Sequence, residues 1–120
     1  MKLLIVDDSA KMRKMTRELV AMWFDEIFEI TSGEEAIDAY KKYQTDYVFM
    51  DIKMKGMNGI AATKEIMNQF PKAKIIVVTN YDDNNLREEA KKAGAREYFL
   101  KEEIFKLFEY MEYMKLDKQN

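Results

Sequence analysis

Five short apolar runs alternate along this chain with longer segments of helical spacing, and that alternation limits the fold more than any single motif does. The runs are Leu3 to Val6, Ile27 to Ile30, Tyr47 to Met50, Ile75 to Val78 and Tyr98 to Leu100. The first, third and fourth are almost continuously apolar, as strands of a parallel sheet covered on both faces must be. Between them, Met12, Met15, Leu19, Val20 and Trp23 share one helical face. Ser32 and Glu35 match a capping box, in which each side chain satisfies an unpaired backbone N–H of the first turn, and Ala36, Ile37 and Tyr40 follow on a common face. Ile60, Thr63, Met67 and Phe70 form the next face, which Pro71 ends. Leu86, Ala90 and Ala93 precede Gly94, a residue suited to the left-handed turn that closes a helix. Ile104, Leu107, Phe108, Met111 and Met114 line the last helix. The pattern predicts an α/β fold of five βα units: a doubly wound, parallel five-stranded sheet with right-handed crossovers and helices on both faces.

The chain has 120 residues, enough for one domain and too few for two of ordinary size. No repeat, low-complexity segment or Gly/Pro/Ser-rich linker divides it. Twenty Lys and Arg against 22 Asp and Glu give a formal net charge of -2, which offers no broad basic field for nucleic acid or an anionic membrane. The N-terminal MKLLIVDD has only four apolar residues in a row before two acids, so it is neither a secretory signal nor a membrane span, and cytoplasmic residence is expected. The absence of Cys excludes disulfides, thiol catalysis and thiolate metal sites. The absence of His excludes a zinc enzyme of the usual ligand set, a Ser-His-Asp hydrolase and a phosphohistidine carrier. Carboxylate, hydroxyl and amine chemistry remain.

A parallel sheet of this kind binds ligands at the carboxyl ends of its strands. Asp7 and Asp8 follow the first run, Asp51 the third, Thr79 the fourth and Lys101 the fifth, so all five emerge on one edge. Singly, each has an ordinary explanation: a helix cap, β-propensity, a solvated surface charge. Together they are harder to dismiss. Neighbouring carboxylates repel by about 1 kcal/mol per pair in water and about 4 at an effective dielectric of 20. A hard divalent cation relieves that repulsion, and Mg²⁺ is held by one or two carboxylates, waters and phosphate oxygens. With one hydroxyl and one ammonium group added, the set suits a phosphoryl group, which an Asp carboxylate can accept as an acyl phosphate.

These residues lie in stretches that resemble the CheY-like receiver domains of two-component response regulators: LLIVDDS, YVFMDIKMKGMNG, IIVVTN and KAGAREYFLK. The similarity extends over essentially the whole chain. It implies a flavodoxin-like strand order 2-1-3-4-5, and residues 1–120 are expected to form a single receiver domain with no output domain among them, although YDDNNLREEAKKAGAREYFLKEE resembles the receivers attached to helix-turn-helix output domains. It implies that Asp51 is the phosphoacceptor, that Asp7, Asp8, Asp51 and the backbone carbonyl of Lys53 organise Mg²⁺, and that Thr79 and Lys101 contact the phosphoryl oxygens. Tyr98 stands at the family's aromatic switch position, which turns inward on activation together with Thr79. Such a chain is a phosphoacceptor rather than an enzyme, limited to self-catalysed phosphotransfer and autodephosphorylation. Its expected partners are a histidine kinase or phosphotransfer protein and a downstream protein target, met through helix 4, strand 5 and helix 5.

The chain departs from the family pattern at several points. Lys55 stands where Pro usually precedes the Gly of the loop after the phosphoacceptor, and Glu102 stands where a cis-Pro usually follows the strand-five Lys. A non-proline cis bond costs roughly 3–4 kcal/mol, so without that Pro the sequence leaves the Lys101–Glu102 bond open between cis and trans. Asn80 replaces a small residue and is expected to narrow access to the site. Lys53 and Tyr81, two residues beyond Asp51 and Thr79, are placed to shield an acyl phosphate from water. Phe105, Glu109, Glu112, Tyr113 and Leu116 form a second stripe on the last helix, a candidate partner or homodimer surface with Phe105 and Tyr113 as its large members. Lys14 and Arg17 read as solvated charges on the first helix, which by resemblance faces the phosphodonor protein.

Two other functions compete. A phosphorylation-independent binding module would keep the fold, although all five site residues are present. A phosphatase with an Asp nucleophile would need a D-x-D arrangement, whereas Ile52 and Lys53 follow Asp51.

Overall fold

The computed structural model describes residues 1–119, with side chains as far as Lys115. Five strands, β1 (Lys2–Val6), β2 (Glu26–Ile30), β3 (Tyr47–Met50), β4 (Ile75–Thr79) and β5 (Glu97–Leu100), alternate with five helices, α1 (Ala10–Val20), α2 (Gly33–Tyr43), α3 (Gly59–Gln69), α4 (Asn84–Ala93) and α5 (Ile104–Gln119). All strand pairs are parallel and the sheet order is β2-β1-β3-β4-β5, as expected. Strands β1, β2 and β5 each begin one residue earlier than the apolar runs indicate, because polar Lys2, Glu26 and Glu97 still pair along the ladders.

The two-residue period of the strands sorts the core into two layers. Leu3, Ile5, Phe49, Ile76 and Val78 pack with Val20 and Trp23 near the end of α1 and with Leu107 and Met111 of α5. Leu4, Val6, Val48, Met50 and Ile75 face the other way, against Ala36 and Tyr40 of α2 and Ala62 and Ile66 of α3. Helix α4 closes the sheet near β5 through Ala90, beside Ile52 and Val77. Each large aliphatic side chain buried in these layers contributes roughly 1.5–3 kcal/mol of transfer free energy.

Helix starts follow the sequence. Ser9, Ser32, Asn58 and Asp83 each accept a hydrogen bond from the backbone N–H three residues on, satisfying first-turn donors of α1, α2, α3 and α4. Gly94, at φ 110°, ends α4. The α1 face differs from expectation at two positions. Met15 is 40% exposed and Thr16 is buried in its place, because Thr16 and Val20, one turn apart, are the α1 residues aimed at the sheet. Trp23 is buried in a 3₁₀ turn (Ala21–Trp23) after the helix rather than on it, where its ring meets Phe108 at 4.7 Å. On α5, Leu107 and Met111 are buried while Phe105 and Tyr113 are 56% and 66% exposed, so the two predicted faces separate; the side chain of Leu116 lies outside the described residues.

Candidate functional site

The carboxyl ends of β1, β3, β4 and β5 bring the predicted residues together. Asp7 and Asp51 continue directly from β1 and β3, and the backbone N–H of Asp51 donates to Val6 O at 2.9 Å, which fixes the two ends side by side. Oxygens of Asp7, Asp8 and Asp51 all lie within 4.8 Å of one another. Asp7 and Asp51 are only 6% and 5% exposed, whereas Asp8 is open to solvent. Lys101 Nζ reaches between the buried pair, 2.9 Å from Asp7 Oδ2 and 3.1 Å from Asp51 Oδ2. It does so from a 3₁₀ turn (Lys101–Glu103) that follows β5, and no cis peptide bond occurs among the described residues.

Hydrogen bonds hold both carboxylates from behind. Ser9 N–H donates to Asp7 Oδ1 at 2.8 Å, and Ile52 N–H donates to Asp51 Oδ1 at 2.9 Å. The Asp51 carboxyl is nevertheless pushed up to about 6, first by burial and then by the negative charge of Asp7, with Lys101 and the Ile52 N–H opposing. Burial works against the Lys101 ammonium, yet its hydrogen bond to Asp7 and the charge of Asp51 hold it above the ordinary lysine value. One cation thus compensates two buried anions, and a net negative charge remains for a second cation. An all-carboxylate set of this kind matches the hard-ion preference of Mg²⁺.

Thr79, fully buried at the end of β4, accepts a 3.4 Å hydrogen bond at its hydroxyl from Tyr81 N–H. Tyr98, half-buried on β5, packs beside Ile60, Val77, Leu86 and Ala90. Its pKa is raised, chiefly by burial, against the charge of Arg87 and with the help of Asp83, Asp82 and Asp51. Lys53 and Asn80 are exposed at the rim, and Lys53 Nζ stands 5.4 Å from the centroid of the Tyr81 ring. Phe105 and Tyr113 lie apart from this cluster on the outer side of α5.

Sequence reasoning missed three supporting residues. Arg13 donates to Asp7 O at 2.8 Å and pairs with Glu29, and its position six residues after Asp7 on the following helix was the available signal. Arg17, read as solvated, pairs with Glu29 at 2.8 Å and donates to Ile27 O. Gly59 opens α3 so close to Asp51 that a Cβ there would fall 1.8 Å from Asp51 O.

Comparison with known proteins agrees with this geometry. The family model described as the response regulator receiver domain matches residues 3–111. The chain is similar to the chemotaxis protein CheY of Thermotoga maritima, with 45% identity over 101 residues, 83% of this chain and 84% of the relative. Among solved structures it resembles a LuxR-family DNA-binding response regulator from Staphylococcus aureus, with TM-score 0.82 and 29% identity over 93% of this chain and 96% of the other. It also resembles a chain of the CheX-CheY-BeF₃-Mg²⁺ complex from Borrelia burgdorferi, with TM-score 0.77 and 27% identity over 88% and 84% of the two chains.

Proposed function

Because the chain belongs to the response regulator receiver domain family of two-component signalling, we propose that residues 1–120 act as one phosphorylation-controlled switch with Asp51 as phosphoacceptor. The observation that carries this reading is Lys101 Nζ placed between the buried carboxylates of Asp7 and Asp51, with Asp8 beside them. Receiver domains of the CheY type are in general not catalytic enzymes, and the chemistry assigned here stays on the chain's own Asp51.

The donor is the phosphohistidine of a histidine kinase or phosphotransfer protein. A carboxylate oxygen of Asp51 forms the new O–P bond while the P–N bond of the donor breaks, and the imidazole nitrogen leaves with the electron pair. Asp7, Asp8, Asp51 and the main-chain carbonyl of Lys53 would hold Mg²⁺. When bound, that ion supplies neutralisation of charge on the phosphoryl oxygens. Lys101 binds a phosphoryl oxygen from the position it now holds between the carboxylates, and the Thr79 hydroxyl binds another. The Thr79 hydroxyl would donate to that oxygen while its own oxygen still accepts from Tyr81 N–H, and Tyr81 O in turn accepts from Tyr98, so a movement of Thr79 toward the phosphoryl group reaches Tyr98 through one residue. The surface that responds is formed by α4, β5 and α5, with Phe105 and Tyr113 as contacts for a downstream protein or for a second copy of the chain. The switch works in the cytoplasm; no helix among the described residues is long and apolar enough to cross a membrane.

Intact mass after incubation with acetyl phosphate, with and without Mg²⁺, tests the reading. The expected result is a Mg²⁺-dependent gain of one phosphoryl group that is absent in Asp51→Asn. No gain at saturating donor and Mg²⁺ would replace it with a binding module that works without phosphorylation.

A further inference from the structure

The arc of residues 53–57 between β3 and α3 is closed at its base, where Gly59 N–H donates to Ile52 O at 2.8 Å. Its outer part runs through exposed Lys53, Lys55 and Gly56, with Met54 and Met57 half-buried against the α2–α3 side of the core. One side chain reaches its main chain from elsewhere in the fold. Glu34, in the first turn of α2, accepts a hydrogen bond at Oε1 from Met57 N–H at 2.9 Å. No other side-chain hydrogen bond to the main chain of 53–57 occurs among the described residues.

Two glycines make this contact possible. A Cβ on Gly33 would lie 2.6 Å from Met57 O, so the start of α2 presses directly against the arc. A Cβ on Gly56 would lie 2.9 Å from Glu34 Oε1, and Gly56 also holds φ 81°, a conformation that side-chain-bearing residues rarely adopt. The carboxylate of Glu34 therefore fills the space above Gly56 while bonding the next residue. A charge-assisted bond to a backbone N–H is stronger than a neutral one, and here it acts on a segment with few other ties.

We infer that Glu34 is a positioning residue for Mg²⁺ binding: by clamping the arc at Met57 it sets where the main-chain carbonyl of Lys53 stands relative to Asp7 and Asp51. This inference rests on the proposed role of Lys53 in holding the ion. It assigns to α2, which contributes no ligand, control over the geometry of the ligand set, in the way that residues behind a metal site usually govern its affinity.

The experiment compares wild type, Glu34→Ala and Glu34→Gln by amide NMR, with hydrogen exchange at Met57 and titration with Mg²⁺ alone. Glu34→Gln keeps an acceptor oxygen but removes the charge. In Glu34→Ala, the Met57 amide is expected to exchange about tenfold faster and Mg²⁺ to bind roughly tenfold more weakly. Glu34→Gln, which keeps the acceptor without the charge assistance, is expected to lie between wild type and Glu34→Ala in both. Faster exchange in Glu34→Ala with unchanged Mg²⁺ affinity would overturn the inference. Equal weakening in both variants would also overturn it, by assigning the effect to lost charge rather than to position. If wild type binds no Mg²⁺, or Asp51→Asn binds it equally well, the reading of the site fails and the inference falls with it.

Discussion

The hydroxyl of Tyr98 donates a 2.6 Å hydrogen bond to the main-chain carbonyl of Tyr81, tying the middle of β5 to the loop that follows β4. Tyr81 also donates its N–H to the Thr79 hydroxyl, so the two polar groups of one peptide residue connect the buried threonine of the site to the aromatic ring on the neighbouring strand. The ring is covered on its outer side by the guanidinium of Arg87, 4.6 Å from its centroid, which is itself paired with Asp82 at 3.0 Å. Thr79 and Tyr98 are thus joined by two hydrogen bonds that both run through the Tyr81 main chain.

Tyr98→Phe keeps the ring and its packing but deletes the bond to Tyr81. The substitution is expected to lower stability by about 0.5–1.5 kcal/mol in urea unfolding, the ordinary net value of one hydrogen bond. Faster hydrogen exchange is expected in residues 80–83, with little change in β1 or β3. Loss of exchange protection spread evenly over the sheet would show that Tyr98 acts as core packing and not as a tie to this loop.

The charge balance at the strand ends gives a pH dependence. Burial and Asp7 raise the Asp51 carboxyl from 3.8 to about 6, so the folded state holds its proton more tightly than the unfolded chain does. Its contribution is fully favourable below about pH 4 and is lost as pH rises through about 6. Asp51→Asn removes the titrating group while keeping an acceptor for Ile52 N–H. Without Mg²⁺ at pH 7.5, this variant is expected to be more stable than wild type by about 1–3 kcal/mol. Below pH 4 the difference is expected to vanish. A wild-type melting temperature that does not fall relative to the variant between pH 4 and 7 would contradict the assignment.

Much of this site was legible because parallel topology places every strand end on one edge: once the apolar runs were assigned, Asp7, Asp51, Thr79 and Lys101 had to converge. Contacts that depend on side-chain reach across the sequence were not legible. Glu34 and Met57 are 23 residues apart, and nothing local to either marks the other. Arg17 looked solvated because its partners, Glu29 and Ile27 O, lie on β2 and not on its own helix. The exchange of Met15 for Thr16 has a similar origin. Hydrophobicity favours Met15, but the direction of the helix face toward Ile5, Phe49 and Val78 is set by packing of the whole layer, and Thr16 is the residue that points there.

Gly59 is the position at which the helix following the site leaves least room. A methyl group there would meet Asp51 O at 1.8 Å and the Met50 side chain at 2.9 Å, and the first of these is backbone that cannot rotate away. Gly59→Ala is expected to destabilise by about 1–3 kcal/mol, as overpacking does. Because the displaced group is the peptide of Asp51 itself, the rate of phosphorylation by acetyl phosphate should fall as well. Circular dichroism melts and intact mass over time check the two parts separately. Normal phosphorylation in a destabilised variant would limit the role of Gly59 to folding.

Lys53 and Tyr81 meet across the rim of the site, with the ammonium 5.4 Å from the ring centroid. An exposed cation–π contact of this kind is worth about 0.5–1 kcal/mol, enough to keep the pair closed for much of the time but not permanently. Hydrolysis of an Asp51 acyl phosphate requires water to approach phosphorus from the side opposite the Asp51 oxygen, which is the open side of the site. Closure of the pair is expected to hinder that approach. Lys53→Asn combined with Tyr81→Ala should therefore speed dephosphorylation by about 2- to 5-fold, the factor that corresponds to removing 0.5–1 kcal/mol of barrier. Tyr81→Phe retains the ring and should decay at the wild-type rate, which separates the pair from the Tyr81 hydroxyl. The measurement is loss of the phosphoryl mass after removal of acetyl phosphate, at fixed Mg²⁺. An unchanged rate in the double variant would mean that water reaches the acyl phosphate by a path the pair does not cover.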